Sequence, residues 1–292
     1  MSYAAYGPVI EEARAKPQIW RLLAGLALAG LTALAISQAA LFGALALGGS
    51  ELIQGALSGT TPGGLLVILY AMGALAIGAF LAARLLHGRG IASVMGPLPL
   101  ALHQGLRVLV AIAILQAVLL ALLTLGSGQE LSRNVPMSRW LIFLPFALLG
   151  LLIQTGAEEV FFRGYLQSQL AGRFRHPALW LIPQAALFAA GHYAAGTFGS
   201  NALGIALWAG AFGLLAGDLT ARSGTLGPAI ALHFANNAVV ILLISMNGVL
   251  SGLSLYTFPF SPSDEAAVAA ALPLEFASLI VSWLAARLAL RV

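Results

Sequence analysis

Eight apolar runs constrain the fold of this chain more than any other feature. Each run is long enough to cross a bilayer, because a transmembrane helix needs about 20 mostly apolar residues. The pattern predicts an all-α, polytopic membrane protein with about eight transmembrane helices. The runs lie at 20–47, 63–86, 104–125, 139–157, 178–195, 201–221, 225–246 and 266–289.

The scarcity of charge supports a lipid-facing surface. Of 292 residues, 60% are hydrophobic and 8% are charged, whereas a soluble domain carries about 25% charged residues. The arginines are scattered between apolar runs rather than clustered, so the lipid bilayer, and no nucleic acid, is the expected partner. Cysteine is absent, which excludes disulfides, thiolate metal sites and a cysteine nucleophile.

The distribution of basic residues predicts the orientation in the membrane. If the N-terminus lies in the cytoplasm, the opposite side holds only Arg133 and Arg139. Cytoplasmic loops carry an excess of Lys and Arg, so both termini are expected on the cytoplasmic side of the cell (inner) membrane. The basic residues on that side are Arg14, Lys16, Arg21, Arg84, Arg89, Arg107, Arg163, Arg173, Arg175, Arg222, Arg287 and Arg291.

Two adjacent carboxylates, Glu158 and Glu159, lie in apolar sequence at membrane depth. A charge there costs about 3 kcal/mol by insertion scales, and such residues normally face a protein interior or a wet cavity. On a helix, Glu159 and Arg163 are i,i+4 neighbours in the favourable order, so Arg163 is expected to hold Glu159. A structural ion pair with Arg163 explains the presence of one glutamate at membrane depth, but not of two. Glu158 is therefore the candidate base, and Gln154, one turn earlier, is placed to orient it.

A second motif, FAAGH, puts Phe188 and His192 on one helix face. The basic turn near Arg175 predicts a helical hairpin, with the fourth helix continuing past the glutamates to near 170. Glu158 and His192 are equally far from Arg175 along the chain, so helices on both sides of the turn bring them to the same level.

The third motif, HFANN, puts His233 and Asn237 on one face of the seventh helix. Both side chains can donate hydrogen bonds, and converging donors in a water-poor site suit an oxyanion. Asn236 points elsewhere and is a supporting residue. A polar packing contact between helices is the structural alternative.

These residues suggest hydrolysis of an amide. Glu158, helped by His192, would activate water, and His233 with Asn237 would stabilise the tetrahedral oxyanion. No serine or threonine lies in a nucleophile-elbow pattern, so direct attack by water is preferred over an acyl-enzyme. No cofactor is predicted. Zinc held by Glu159, His192 and His233 is the open alternative, although the pattern H-E-x-x-H is absent.

The three motifs, in this order and on separate membrane helices, are similar to those of the CPBP (Abi) family of type II CAAX prenyl endopeptidases and bacteriocin-processing enzymes. They read EEVFFR at 158–163, FAAGH at 188–192 and HFANN at 233–237, and the similarity covers roughly 140–246. The resemblance implies an eight-helix intramembrane endopeptidase acting from the cytoplasmic side. It also implies that Glu158 and His192 activate water, and that His233 and Asn237 form the oxyanion hole. Family members have also been labelled metalloproteases, so zinc stays open.

The resemblance suggests a division of the chain into four parts. These are a cytoplasmic segment at 1–18, three membrane helices at 19–138, a catalytic core at 139–246, and an outer loop with the last helix at 247–292. The expected substrate is a peptide or protein, prenylated if the host prenylates proteins. A transporter that uses the buried Glu and His residues as a relay, and a silent scaffold or immunity protein, are the non-enzymatic alternatives.

Two other acids lie in apolar runs. Asp218 and Arg222 are i,i+4 neighbours and are expected to form a structural ion pair. Glu275 follows a proline in the last run, and the sequence gives it no assignment.

Overall fold

The computed structural model describes residues 3–126 and 130–292 and is built almost entirely of helices. Residues 1–2 of the predicted N-terminal segment, and 127–129 of the connection after the third apolar run, lie outside the described residues. The helices are α1 (Gly7–Arg14), α2 (Ile19–Ser58), α3 (Pro62–Ala71), α4 (Gly73–His87), α5 (Ile91–Met95), α6 (Leu98–Gly126), α7 (Met137–Glu159), α8 (Ser168–Arg173), α9 (Ala178–Gly191), α10 (Ala195–Phe198), α11 (Ala202–Ser223), α12 (Gly227–Ala238) and α13 (Glu265–Leu290).

Each predicted apolar run contains a helix, and the all-α polytopic membrane fold is confirmed. In the described part of the chain, six helical stretches are long and apolar enough to cross a membrane. The other two runs form the shorter helices Ala178–Gly191 and Gly227–Leu243. At 1.5 Å per residue, the 14 residues of α9 reach only about 21 Å, less than the hydrocarbon thickness of about 30 Å. The six long stretches are Ile19–Ser58, Pro62–His87, Ile91–Leu122, Met137–Arg173, Ala195–Ser223 and Glu265–Leu290.

The connection between the first and second apolar runs is largely helical. The helix α2 continues through it to Ser58, and Gly49 kinks the helix with a φ of 62°. Glycine adopts this conformation without a steric penalty, so Gly49 bends the helix rather than ending it. The next helix starts at Pro62, where the Thr61 side chain caps the free N–H of Gly64 at 3.2 Å.

The predicted helical hairpin is present. Beyond Glu159 the helix continues as a π-helix over Val160–Gln167 and then as α8, which ends at Arg173. Pro177 precedes the first residue of α9, as expected because proline fits the start of a helix. The prediction that the fourth helix extends past the glutamates to near 170 is therefore confirmed.

Small residues let the helices approach closely. A Cβ atom on Gly78 would lie 2.7 Å from Cα of Ala29, and one on Gly213 would lie 2.9 Å from Cα of Ala185. Close backbone approach at small residues is the usual packing mode of membrane helices, which gain no hydrophobic energy from pairing in lipid. These contacts fix α2 against α4 and α9 against α11.

Three two-residue strands near the last loop were not predicted. The strands β1 (Ser132–Arg133), β2 (Ile244–Ser245) and β3 (Tyr256–Thr257) form one sheet in which β3 is central, antiparallel to β1 and parallel to β2. This sheet joins the start of α7 to the end of the seventh helix, where the Trp140 indole donates to the carbonyl of Leu242 at 2.9 Å.

Candidate active site

Glu158 and Glu159 end the α-helical part of α7, directly before the π-helical turns. Glu159 is fully buried and Glu158 is 7% exposed. A π-helical turn has an extra residue and is frequent at functional sites. A second π-helix, Val239–Leu243, follows the HFANN motif. The first motif therefore extends into one widened turn, and the third lies just before another.

Arg163 pairs with Glu159, as the spacing predicted. Its Nη1 lies 3.0 Å from Oε1 of Glu159, and both side chains have no exposed surface. The Nε and Nη2 atoms of Arg163 have no hydrogen-bond partner among the described residues. Three rings surround the guanidinium instead, and cation–π attraction replaces part of the lost hydration. The guanidinium carbon lies 4.7 Å from the ring centre of Phe188, 5.5 Å from that of Phe212 and 5.7 Å from that of Phe162.

His233 contacts both carboxylates. Its Nδ1 lies 2.8 Å from Oε1 of Glu159, and its Nε2 lies 3.8 Å from Oε2 of Glu158. An ionised carboxylate only accepts hydrogen bonds, so Nδ1 carries the hydrogen. The Nε2 atom is then an acceptor in the neutral ring and a donor in the imidazolium ion. His233 can therefore donate to an oxyanion through Nε2 only as the imidazolium ion.

Gln154 links the first motif to the third. Its Nε2 donates to Oε1 of Glu158 at 2.7 Å, and its Oε1 accepts from Nδ2 of Asn237 at 3.0 Å. The contact with Glu158 was predicted from the one-turn spacing, and it is confirmed. The contact with Asn237 was not predicted, because it joins residues 83 apart in the chain.

His192 lies at the C-terminal cap of α9, with its side chain exposed. Its Nδ1 lies 2.9 Å from the carbonyl oxygen of Phe188, and the two rings are 4.4 Å apart between centres. A carbonyl only accepts, so Nδ1 carries the hydrogen and Nε2 of the neutral ring keeps a lone pair. That arrangement suits a group that takes a proton from water.

The second and third motifs line a cleft of about 60 Å³. Gln154 of α7 and two aromatic residues of α11 that carry no sequence motif complete its wall. Glu158 of the first motif is not a lining residue but contacts two of them, Gln154 and His233, and its Oε2 has no hydrogen-bond partner among the described residues. The lining residues are Gln154, Phe188, His192, Trp208, Phe212, His233, Asn236 and Asn237.

Sequence reasoning missed Trp208 and Phe212. Their rings are nearly parallel, 6.2 Å apart between centres, and Phe212 also lies 4.7 Å from the His233 ring. Both belong to an otherwise apolar run, where an aromatic residue is indistinguishable from one that faces lipid. Their four-residue spacing places them on one helix face, which is the only sequence signal they carry.

A metal-binding arrangement is not formed. Within residues 3–126 and 130–292, no three His, Asp or Glu side chains group closely enough to hold a metal ion. The zinc alternative requires Glu159, His192 and His233 to converge. Glu159 instead pairs with Arg163 and His233, while Nδ1 of His192 bonds to a backbone carbonyl. These donors do not fit a zinc site in this conformation, and the dependence on zinc stays a prediction to be tested.

The N-terminal segment supports the site from outside the membrane helices. The Tyr6 hydroxyl donates to the backbone carbonyl of Arg163 at 3.4 Å, and burial raises the pKa of Tyr6, so the phenol stays neutral and able to donate. The Tyr3 hydroxyl donates to Asp218 at 2.9 Å. Burial and this hydrogen bond raise the pKa of Tyr3 to about 12.

The other acids in apolar runs lie outside the cleft wall. Asp218 pairs with Arg222 at 2.8 Å, so the predicted structural ion pair is confirmed. The indole of Trp283 also donates to Asp218 at 3.1 Å. Glu275 accepts a hydrogen bond from the Trp208 indole through its backbone carbonyl, at 3.2 Å.

Comparison with known proteins identifies the part of the chain that carries the site. Residues 139–239 match the family model of type II CAAX prenyl endopeptidases, Rce1-like. This stretch is therefore similar to the Rce1-like family, and the resemblance predicted from the three motifs is confirmed. All three motifs lie within the matched residues. The family supports intramembrane endopeptidase activity in general.

A curated relative is found in a bacterium. The chain is 32% identical over 149 residues to "Uncharacterized protein YyaK" of Bacillus subtilis (strain 168). The aligned part covers 49% of this chain and 48% of that protein, so the chain spans about half the length of the curated relative it matches. No solved structure matches the chain.

Proposed function

We propose that the chain is an intramembrane endopeptidase that hydrolyses a peptide bond with activated water. The observation that carries the proposal is the shared cleft. His192 at the end of α9, and His233 and Asn237 of α12, line one small cavity, and Glu158 of α7 contacts His233. A transporter relay needs no such convergence of hydrogen-bond donors on one point.

The first half of the reaction uses Glu158 and His192. A water molecule in the cleft loses a proton to Glu158 and His192, which act together as the general base. The oxygen of the water bonds to the carbonyl carbon of the substrate. General-base help of this kind is worth about 10²–10⁴-fold in rate. Oε2 of Glu158 and Nε2 of His192 are the atoms left without a hydrogen-bond partner among the described contacts.

The second half uses His233 and Asn237. The carbonyl oxygen becomes an oxyanion, which accepts from Nδ2 of Asn237 and from Nε2 of the His233 imidazolium ion. When the C–N bond breaks, the leaving amine takes back the proton first removed from water. The products are one new carboxylate and one new amine. Glu159 fixes the His233 ring through Nδ1, so its role is to hold the donor in place.

The proposed substrate is a membrane-associated peptide or the C-terminal tail of a protein, including prenylated tails of the CAAX type. The aromatic rings of Phe188, Trp208 and Phe212 give the cleft an apolar wall that suits apolar side chains next to the cleaved bond. We further propose that both termini and the cleft opening face the cytoplasm, in keeping with the distribution of arginine.

The deciding experiment compares matched carboxylate variants in purified protein. The probes are a pooled peptide library read by mass spectrometry, and a quenched fluorescent CAAX peptide with and without a farnesyl group. Glu158→Gln is expected to lose cleavage by at least about 10²-fold, whereas Glu275→Gln, on an acid outside the cleft wall, is expected to keep it. Full activity in Glu158→Gln excludes this mechanism.

The orientation has its own test. Because the natural chain contains no cysteine, single cysteines at Arg133 and Arg175 can be labelled with an impermeant maleimide in intact cells. Arg133→Cys is expected to react and Arg175→Cys is expected to react only after lysis. The reverse pattern contradicts the proposed orientation.

A further inference from the structure

One hydrogen-bonded chain of three side chains joins the proposed base to the proposed oxyanion donor. Asn237 donates through Nδ2 to Oε1 of Gln154 at 3.0 Å, and Gln154 donates through Nε2 to Oε1 of Glu158 at 2.7 Å. Gln154 is 8% exposed, so bulk water does not compete freely for these bonds. A half-satisfied amide in such a place costs about 1–3 kcal/mol, which favours the fully bonded arrangement.

The carboxylate dictates the direction of every bond in this chain. An ionised Glu158 can only accept, so Gln154 must turn its NH₂ group toward it. The Gln154 carbonyl oxygen is then left for Asn237, which must turn its own NH₂ group toward Gln154. An amide group is nearly symmetric in shape, and without such a partner it can rotate by half a turn and exchange O for NH₂.

We infer that Gln154 is a positioning residue that sets the orientation of the Asn237 amide through its own hydrogen bond to Glu158. In this orientation one N–H of Asn237 bonds to Gln154 and the other is free to bind an oxyanion in the cleft. In the reversed orientation the Asn237 carbonyl oxygen would meet the oxyanion and repel it. This inference rests on the proposed hydrolysis, and it adds a link between the two halves of the reaction.

The test replaces Gln154 by methionine, which has a similar length and no amide. Without the Gln154 amide, the Asn237 amide can rotate, which weakens a hydrogen-bond donor that acts only in the transition state. Complete loss of one such donor costs about 10²–10³-fold in kcat. Gln154→Met is therefore expected to lower kcat by about 10-fold or more, with KM within about twofold of the natural enzyme. The substrate is the best-cleaved peptide from the library described above.

A second readout separates positioning from general damage. A phosphonate analogue of the same peptide carries the oxyanion charge permanently, so it is expected to lose affinity in Gln154→Met by about the factor lost in kcat. The change at Gln154 is also expected to have a smaller effect in an Asn237→Ala background, because two residues that act as a unit are not additive.

Gln184→Met is the matched control. Gln184 is a fully buried glutamine whose amide donates to the carbonyl of Gly213 at 2.9 Å, outside the cleft wall. Its replacement by methionine is expected to lower the unfolding temperature in detergent. The affinity for the phosphonate, relative to KM for the peptide, is expected to stay unchanged. A Gln154→Met enzyme with natural kcat and natural phosphonate affinity overturns the inference. A fall in kcat that is accompanied by a rise in KM and a fall in unfolding temperature also overturns it, because that combination indicates a structural role.

Failure of this inference is distinguishable from failure of the proposed function. If Glu158→Gln is inactive while Gln154→Met keeps full activity, the hydrolytic mechanism stands and the positioning role is wrong. If Glu158→Gln keeps full activity, the mechanism itself is wrong and the role of Gln154 falls with it.

Discussion

Arg163 and Glu159 form an ion pair with no exposed surface on either side chain, 3.0 Å apart at their closest atoms. Desolvating two charges is expensive, and a buried pair is favourable only with good geometry and further hydrogen bonds. Here Glu159 gains a second partner in His233, and aromatic rings surround the Arg163 guanidinium. The pair therefore joins the first and third motifs and fixes the His233 ring, while Oε2 of Glu158 has no hydrogen-bond partner among the described residues.

Removing Arg163 is expected to destabilise the protein strongly. Arg163→Met leaves Glu159 buried without its cation, and breaking a buried pair in this way costs about 3–5 kcal/mol. The loss is measured as the free energy of unfolding in detergent micelles, followed by tryptophan fluorescence.

Arg222→Met is the matched control for that measurement. Arg222 and Asp218 are also i,i+4 neighbours, but they are partly exposed, and Asp218 keeps its bonds from Tyr3 and Trp283. The expected loss is about 1–2 kcal/mol. Equal losses in the two variants contradict the special position given to Arg163.

Adding one methyl group at Gly213 is expected to separate α9 from α11. The new Cβ would lie 2.9 Å from backbone atoms of Ala185, which cannot move without moving α9. Overpacking of this kind costs about 1–3 kcal/mol, and cleavage is expected to fall as well because α9 carries His192. A thermal melt and an activity assay on Gly213→Ala measure the two effects.

Gly30→Ala supplies the comparison, since a Cβ at Gly30 would meet nothing within 4 Å. That variant is expected to keep its stability or gain up to about 1 kcal/mol from the better helix propensity of alanine. A stable and active Gly213→Ala would show that the close approach at Gly213 is unimportant.

Trp208 is expected to affect substrate binding rather than chemistry. It lines the cleft beside Phe212, so Trp208→Ala removes part of an apolar wall. Losing about 1.4 kcal/mol of contact corresponds to about a tenfold rise in KM, with kcat little changed. The prediction is checked by measuring KM and kcat for peptides that differ only in the size of one apolar side chain.

Trp140→Ala serves as the tryptophan control, because its indole bonds to the Leu242 carbonyl away from the cleft wall. It is expected to lower stability and leave KM unchanged. A Trp208→Ala enzyme with natural KM for every peptide would remove Trp208 from the binding site.

Cleavage is expected to be insensitive to metal chelators. Glu159 and His233 bond to each other, and Arg163 shares the same carboxylate oxygen. Among the described residues, no three His, Asp or Glu side chains are grouped to hold a metal ion. The rate is measured before and after treatment with 1,10-phenanthroline, with its non-chelating 1,7 isomer as the control. Activity lost to the chelator and restored by zinc contradicts the mechanism proposed for Glu158.

The sequence was sufficient for contacts that depend on helical spacing. Glu159 with Arg163, Asp218 with Arg222, and Gln154 with Glu158 are each four residues apart, and each contact is present. The hairpin was also predictable, because its basic turn interrupts two apolar runs. Helical geometry alone determines these features, so no knowledge of the tertiary packing was needed.

Features that depend on packing between distant segments were not predictable. Trp208 and Phe212 reach the cleft only because α11 packs against α9. The length of α9 is another example, because the apolar run continues to 195 while the helix ends at Gly191, where His192 closes it. Likewise, the bond between Gln154 and Asn237 depends on how α7 meets α12, and no local pattern records it.

The wide turns of Val160–Gln167 accommodate an extra residue between two helical segments. They connect Glu159, before them, to Ser168, after them, whose hydroxyl accepts a bond from Nη1 of Arg89 at 2.7 Å. Deleting one residue from this stretch would let a wide turn close to an α-helical turn, so the helix that follows would keep its direction and Ser168 would stay near Arg89. A relative that is one residue shorter here is therefore expected to lack the wide turn while keeping the helices on both sides of it.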